Sequence, residues 1–298
     1  MRTTYYQVAK NNRKYAFIIN PASGSGDAIK CKDLIEGHLG QSEEFQILIT
    51  RGPGDAEIFS KNAVDKGYTV VVAVGGDGTV NEVARSLIGT EVALGILPVG
   101  SGNGLARHLK ISMDWNKALD TILKSKEKRI DTAKMNEHGF ISVAGIGFDA
   151  QVSKEFALSK RRGFINYLRI TLKLANDISQ FDATLRYDGL EIKKNITAIT
   201  VANSSQYGNN ARIAPKADIS DGKLDVCTIQ DLSIPRAIRF LVQLITGRLK
   251  ENKVYQTFRT DQLSVKCDQN WAHVDGDPVK IDGLVNFAVI PQSLSVIC

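Results

Sequence analysis

An aspartate set among glycines makes phosphoryl chemistry the first reading of this chain. Asp77 stands in Gly75-Gly76-Asp77-Gly78-Thr79, directly after the apolar run Val70–Val74. A second group, Asp275-Gly276-Asp277, lies far downstream. Glycines at a strand-to-helix junction let the backbone come close to a ligand, and the N–H groups of a helix start suit phosphate. A carboxylate inside such a loop repels bare phosphate, so it acts through Mg²⁺ or fixes another group in place. These features together point to a nucleotide-using phosphotransferase. Asp275-Gly276-Asp277 is also what a plain Asp-Gly hairpin turn looks like.

Two more glycine-rich loops follow strands and precede helices. They are Asn20-Pro21-Ala22-Ser23-Gly24-Ser25-Gly26 and Gly100-Ser101-Gly102-Asn103-Gly104. In an open α/β sheet, ligands bind beyond the carboxyl ends of the strands, so three such loops converge on one crevice. None of them has the Gly-Lys-Ser/Thr of a Walker A loop or a Rossmann glycine fingerprint in the right context. Singly, each could be an ordinary βα turn.

The elements that must carry these loops are legible. Val70–Val74 reads as a buried parallel strand. Val80, Val83, Ala84, Leu87 and Ile88 form one face of the helix after it, and Gly89 is its stop. Ala16–Ile19, Phe45–Ile49 and Ala93–Leu97 are further strands alternating with helical patterns, which predicts a parallel sheet with helices on both faces. From about Ile130 the texture changes to short β-like runs: Phe140–Ala144, Ala183–Tyr187, Thr197–Ala202, Leu224–Ile229, Leu263–Cys267 and Leu284–Ile290. They predict an antiparallel sandwich or barrel, with helical inserts near 153–176 and 234–250. The expected division is residues 1–132 and 133–290, with 291–298 returning to the first unit.

The bulk composition narrows the class. The chain has 298 residues, 43% apolar, and a net charge of +6, enough for two ordinary domains and a mild preference for anionic partners. The excess charge is spread out and does not argue for nucleic acid. Four scattered cysteines, Cys31, Cys227, Cys267 and Cys298, lack metal-ligand spacing and read as reduced intracellular thiols. The start of the chain carries no signal-peptide pattern, and no apolar run reaches the ~18 residues of a membrane span.

The three loops, in their order and spacing, resemble the three signatures of the diacylglycerol-kinase catalytic-domain family, which includes soluble bacterial lipid kinases, sphingosine kinases and ceramide kinases. Gly145-Ile146-Gly147-Phe148-Asp149, Ser220-Asp221-Gly222-Lys223-Leu224 and Asp275-Gly276-Asp277 extend the resemblance over nearly the whole chain. The Gly-Gly-Asp-Gly-Thr loop by itself is shared with NAD kinases. The resemblance implies an N-terminal Rossmann-like parallel sheet, a C-terminal antiparallel β-sandwich for the lipid substrate, and a nucleotide cleft between them. It implies an ATP- and Mg²⁺-dependent kinase acting on a lipid hydroxyl, diacylglycerol or a related glycerolipid first, with a long-chain-base kinase as the alternative. A NAD kinase and a catalytically weak lipid- or nucleotide-binding protein are further alternatives.

By this similarity the nucleotide site is lined by Asn20, Pro21, Ala22, Ser23, Gly24, Thr50, Gly75, Gly76, Asp77, Gly78, Thr79, Val80, Asn81 and Ser101. Asp77 would hold Mg²⁺ through water, and Asp131 resembles a second acidic member of that network. Asp277 sits where relatives carry the Glu of Asp-Gly-Glu and is the expected catalytic base, with Asp275 as neighbour or alternative. Asp218, Asp221 and Lys223 resemble a structural metal site, Asp221 through its carboxylate and the other two through backbone carbonyls. One departure stands out: many bacterial relatives have Asp where this chain has Gly104, and sphingosine kinases also have a small residue there.

The expected partner is a lipid at a membrane surface, with no nucleic acid and no transmembrane segment. The expected place is the cytoplasm, peripheral at the membrane, and pairing as a homodimer is also open. Two segments have the basic, amphipathic character of membrane-surface helices. One is Lys160-Arg161-Arg162 with Phe164–Leu174. The other is Ile238, Leu241, Val242, Ile245 and Leu249 flanked by Arg236, Arg239, Arg248 and Lys250. A core-facing stripe with a solvated edge is the plainer alternative.

Overall fold

The computed structural model describes residues 13–40, 44–159, 163–175 and 178–298. Strands β1 (Lys14–Ile19), β2 (Glu44–Ile49), β3 (Val70–Gly75) and β4 (Ala93–Pro98) pair in parallel in the order β2-β1-β3-β4. Every residue of β3 and β4 is buried, which is why their sequences are continuous apolar runs and not alternating ones. Helices α1 (Cys31–Leu39), α2 (Asp55–Asp65), α3 (Asp77–Leu87), α4 (Gly104–His108) and α5 (Trp115–Lys124) connect and cover these strands. Phe17, Ile18, Val72, Val74, Leu94 and Leu97 centre the core of this half.

The second half is built from β5 (Glu127–Met135), β6 (His138–Phe140), β7 (Val143–Gly147), α6 (Phe148–Leu158), α7 (Phe164–Leu174), β8 (Phe181–Tyr187), β9 (Leu190–Ile196), β10 (Ala198–Ala202), β11 (Leu224–Ile229), α8 (Ile234–Ile245), β12 (Tyr255–Thr260), β13 (Gln262–Cys267), β14 (Trp271–Val274), β15 (Asp277–Lys280) and β16 (Leu284–Ile297). A six-stranded antiparallel sheet runs β12-β11-β10-β7-β14-β15. It packs on β5, β8, β13 and β16 through Ala144, Ile146, Val201, Val226, Met135, Leu185, Val265 and Phe287. This is the expected sandwich.

The two halves share a sheet. β16 is one strand of 14 residues. Its first part pairs antiparallel with β13, and Ser295 and Val296 pair in parallel with Ala93 and Leu94 of β4. The parallel sheet therefore continues through β16 into the sandwich, giving ten strands in all. β5 pairs with β16 along its length, with a register break between Ile290 and Leu294. Residue 132, the end of the expected first unit, lies inside β5.

The strands that the apolar runs did not announce are β5, β6, β9, β12, β14 and β15. Of these, β9, β12 and β15 end their sheets, and β6 pairs only with β5. Edge strands expose one face and carry charge there, so Leu190–Ile196 reads as Leu-Glu-Ile-Lys-Lys-Asn-Ile and not as an apolar run. The insert expected near 153–176 is the helix pair α6 and α7, and the one near 234–250 ends at Ile245. Lys160, Arg161 and Arg162 lie outside the described residues.

Candidate active site

The three glycine-rich loops meet at the carboxyl ends of β1, β3 and β4. Asn20 donates from Nδ2 to Thr79 Oγ1 at 3.1 Å and accepts the N–H of Ala22 at 3.0 Å on its Oδ1, tying the first loop to the second. Ser23 Oγ accepts the Gly76 N–H at 3.3 Å. Val99 N and Gly100 N both donate to Gly75 O, at 2.9 and 3.2 Å. A Cβ on Gly100 would stand 2.5 Å from Gly76 Cα, so the second and third loops touch backbone to backbone and only glycine fits there. Pro21 follows Asn20 in the first turn, and Gly24 faces Val99. Thr50, at the end of β2, is buried and donates its N–H to Ile19 O at 2.9 Å. Val80 is core-facing, while Gly78 and Ser101 are exposed.

Asp77 is the first residue of α3, and its carboxylate grips the third loop. Oδ2 accepts the Asn103 N–H at 2.8 Å and Oδ1 the Gly104 N–H at 2.6 Å. Burial pushes this carboxyl up, against the two backbone donors and the nearby Arg107 guanidinium, which hold it down. Asn103 takes a left-handed conformation at φ 51°, and its Oδ1 is buried with no hydrogen-bond partner among the described residues. A buried carbonyl oxygen without a partner, on a residue whose N–H meets the Asp77 carboxylate, is an oxygen donor of the kind a hard cation such as Mg²⁺ takes. The N-terminus of α3 carries no side-chain cap, so its first-turn N–H groups are open to an anion.

Across the cleft, Asp275-Gly276 is a two-residue hairpin turn between β14 and β15, with φ of 51° and 88° at its central residues. Both positive values match the tight turn that suits the twist of a hairpin. Asp275 Oδ2 accepts the Ile141 N–H at 2.9 Å, and its Oδ1 accepts those of Ser142 and Val143 at 2.8 and 3.1 Å. Burial pushes the Asp275 carboxyl up and the three backbone donors oppose it. This carboxylate is a clamp, with its oxygens committed to the backbone. Asp277 is different. Its side chain is 65% exposed, and it makes one ion pair, Oδ2 to Arg85 Nη2 at 2.7 Å. Asn81 Nδ2 donates to Asp275 O at 3.3 Å. Asp77, Asn81 and Arg85 are spaced by four on α3 and so share one helix face. At 1.5 Å per residue, Asn81 and Arg85 lie about 6 and 12 Å along the axis from Asp77.

Arg85 was not singled out by the sequence reading, although its four-residue spacing from Asn81 could have found it. A buried network under the acidic hairpin was missed too. His273 Nε2 is 3.0 Å from Asp149 Oδ2, which also accepts from Thr200 Oγ1 at 2.9 Å and the Tyr207 hydroxyl at 2.8 Å. Gly276 N donates to His273 Nδ1 at 3.3 Å, while Nε2 lies close to the carboxylate without hydrogen-bond geometry. Burial opposes ionisation of Asp149, but His273 and the two hydroxyls outweigh it and hold the carboxyl below its ordinary value. The network thus ties the turn bearing Asp277 to Tyr207. Its neighbour Gly208 packs on the third loop, where Asn209 N donates to Gly102 O at 2.8 Å.

The remaining acidic residues hold the scaffold. Asp131 is 1% exposed; Oδ2 accepts the Gly222 N–H and Oδ1 the Gln292 N–H, each at 2.7 Å. It pins the register break of β16, and no hydrogen bond or ion pair joins it to Asp77 among the described residues. Asp218 Oδ1 accepts from Ser220 N and Oγ. Asp221 accepts the Lys223 N–H at 3.0 Å and pairs with Arg259, while Lys223 Nζ meets Asp261 at 3.2 Å. Arg259 thus pairs with the carboxylate that the resemblance assigns to the structural metal. Among the described residues no group of three or more His, Cys, Asp or Glu side chains is disposed to hold a metal ion.

Residues 14–135 match the diacylglycerol kinase catalytic domain, and residues 142–298 match the YegS C-terminal NAD kinase beta sandwich-like domain. A diacylglycerol kinase of Mycobacterium tuberculosis is 30% identical over 273 residues, covering 89% of this chain and 88% of that protein. This chain belongs to the diacylglycerol-kinase catalytic-domain family. A Bacillus subtilis diacylglycerol kinase is 26% identical over 79% of this chain and 80% of its own length. An uncharacterized Synechocystis protein is 26% identical over 89% of this chain, which spans only 61% of that relative. A putative diacylglycerol kinase structure from Bacillus anthracis superposes with a TM-score of 0.79 at 21% identity, covering 96% of both chains, and shares the fold. The expectation of a lipid-kinase family member with a parallel sheet and a β-sandwich is borne out. Among the described residues no helix is long and apolar enough to cross a membrane.

Proposed function

We propose that this protein transfers the γ-phosphoryl group of ATP to a lipid hydroxyl, with diacylglycerol or a related glycerolipid as the first acceptor. One observation carries the reading: a single helix, α3, serves both sides of the reaction. Its N-terminus opens among the three phosphate-facing loops, and its flank holds the acidic hairpin through Asn81 and Arg85. The names of relatives 30% and 26% identical, each a diacylglycerol kinase, support the acceptor class.

The nucleotide phosphates sit at the first-turn N–H groups of α3 and beside Ser23, Gly24 and Ser101. Asp77, with the orphaned Oδ1 of Asn103, would hold Mg²⁺ through water, and when bound that ion neutralises charge on the phosphates. Asp277 accepts the hydroxyl proton on a carboxylate oxygen as the lipid oxygen attacks phosphorus, and Arg85 fixes its orientation. Asp275 holds the turn against Ile141–Val143 and leaves the proton transfer to Asp277. The long-chain-base alternative rests on Gly104. A Cβ there would lie 3.2 Å from the backbone of Gly208, so a side chain at the position where many relatives carry a carboxylate crowds that segment. The four free cysteines fit a reducing compartment, and we place the enzyme on the cytoplasmic side, meeting lipid peripherally.

The test is transfer of labelled γ-phosphate from ATP/Mg²⁺ to diacylglycerol, monoacylglycerol, sphinganine and ceramide in mixed micelles, and to NAD in solution. A phosphorylated glycerolipid, lost in Asp77→Ala and in Asp277→Ala, is expected. Phosphorylated sphinganine selects the alternative. Labelled NAD, or no product from any acceptor with nucleotide binding intact, refutes the lipid-kinase reading.

A further inference from the structure

One helix of the sandwich half presents an apolar line to solvent. The inner side of α8, through Ala237, Phe240, Leu241 and Leu244, packs on the cluster of Leu232, Leu249 and Tyr255. Its outer side carries Ile234, Ile238 and Val242, which are 47%, 50% and 55% exposed. Their spacing of four sets them in one row along the helix. The stripe seen in the sequence is thus split: Ile238 and Val242 face out, whereas Leu249 is buried and Leu241 and Ile245 are half-buried.

The charge around this row has one sign. Between Leu232 and Lys250 the basic residues are Arg236, Arg239, Arg248 and Lys250, and no acidic residue occurs. Arg236 pairs with Asp231. Arg239, Arg248 and Lys250 are exposed and make no ion pair among the described residues. An apolar row with a basic border matches the boundary of an anionic bilayer, where aliphatic side chains enter the acyl region and cations meet headgroup phosphates. A second copy of the chain fits poorly: a two-fold pair would set the row against itself and bring the same arginines together.

The last turn of α8 is also tied to the cleft. Arg212 N donates to Leu244 O at 3.0 Å, and three residues earlier Asn209 N donates to Gly102 O in the third loop at 2.8 Å. The helix and the nucleotide loop are therefore joined by one short segment.

We infer that the outer face of α8 is the surface by which this enzyme docks on anionic lipid, holding the cleft at the membrane where its acceptor is dissolved. The docking rests on exposure and charge; its purpose rests on the lipid-kinase reading. The experiment measures binding to vesicles without nucleotide and, separately, phosphorylation. Wild type is expected to float with vesicles of phosphatidylglycerol and phosphatidylcholine, and not with phosphatidylcholine alone. Arg239→Ala/Arg248→Ala weakens that binding roughly thirtyfold, and Ile238→Asp/Val242→Asp removes it. Both variants should keep the wild-type circular dichroism spectrum and the wild-type rate on a short-chain, water-dispersed diacylglycerol. Wild type that ignores anionic vesicles, or variants that bind as wild type does, overturns the inference. So does a wild-type dimer that Ile238→Asp/Val242→Asp converts to monomer. Vesicle binding that depends on these residues, with no lipid phosphorylated, would uphold the docking face and sink the kinase reading.

Discussion

Replacing Asp275 and Asp277 by asparagine in turn separates a structural carboxylate from a reactive one. In Asp275→Asn the amide oxygen can stay with Ser142 N and Val143 N, which turns the amide NH₂ toward the N–H of Ile141. An unpaired buried N–H costs about 1–3 kcal/mol. The two retained bonds fall from charge-assisted to neutral, at about 1 kcal/mol each. The neutral amide recovers part of this because burial disfavours the ionised carboxylate. The net loss is about 3 kcal/mol, which lowers the melting midpoint by roughly 5 °C in a chain of this size. Asp277→Asn breaks only a half-exposed ion pair worth at most about 1 kcal/mol, so its midpoint should move by no more than ~2 °C. Its kcat should fall by about 10²–10⁴. Calorimetry and steady-state kinetics on both variants read these numbers. An Asp275→Asn protein as stable as wild type would refute the clamp. A stable, inactive Asp275→Asn beside an active Asp277→Asn would move the base to Asp275.

Two further outcomes follow from the packing and the titrations. Gly104→Asp forces the backbone at Tyr207 and Gly208 aside and strains the Asn209–Gly102 bond; we expect a loss of about 1–2 kcal/mol and weaker nucleotide binding, and a gain in kcat would contradict this. Burial raises the Asp225 carboxyl from 3.8 to about 6, with Lys216 opposing. A carboxylate with a raised folded value costs stability as pH rises from the unfolded value to the folded one, and that cost is constant above it. Asp225→Asn should therefore stabilise the protein above about pH 6 by up to about 3 kcal/mol, less what the Arg259 contact at 3.7 Å contributes, and leave stability unchanged below about pH 4. A gain confined to acid would reverse the sign of the argument.

The sequence was most legible where burial is complete on both faces. Val70–Val74 and Ala93–Leu97 could be read as strands because a parallel sheet covered by helices demands unbroken apolar runs. The glycine-rich loops were equally plain, since close backbone approach excludes a side chain whatever the surroundings. Edge strands such as β9 and β15 were not, because half of each faces water and its residues are chosen for that side.

The order of acidic and glycine residues along the chain determined by itself which groups are available for phosphoryl transfer and which family they resemble. It favoured Asp277 over Asp275 as the base only through that resemblance, since the residues themselves are two carboxylates flanking one glycine. Only the tertiary structure parts them. The hairpin turn aims one at three backbone N–H groups of residues 141–143 and the other at Arg85. Those partners come from β7, the segment before it and α3, distant in sequence, and side-chain direction in a tight turn is set by what the chain folds against. The same reason hid the pairing of Asp149 with His273 and decided which row of α8 meets solvent: both depend on contacts that no local spacing encodes.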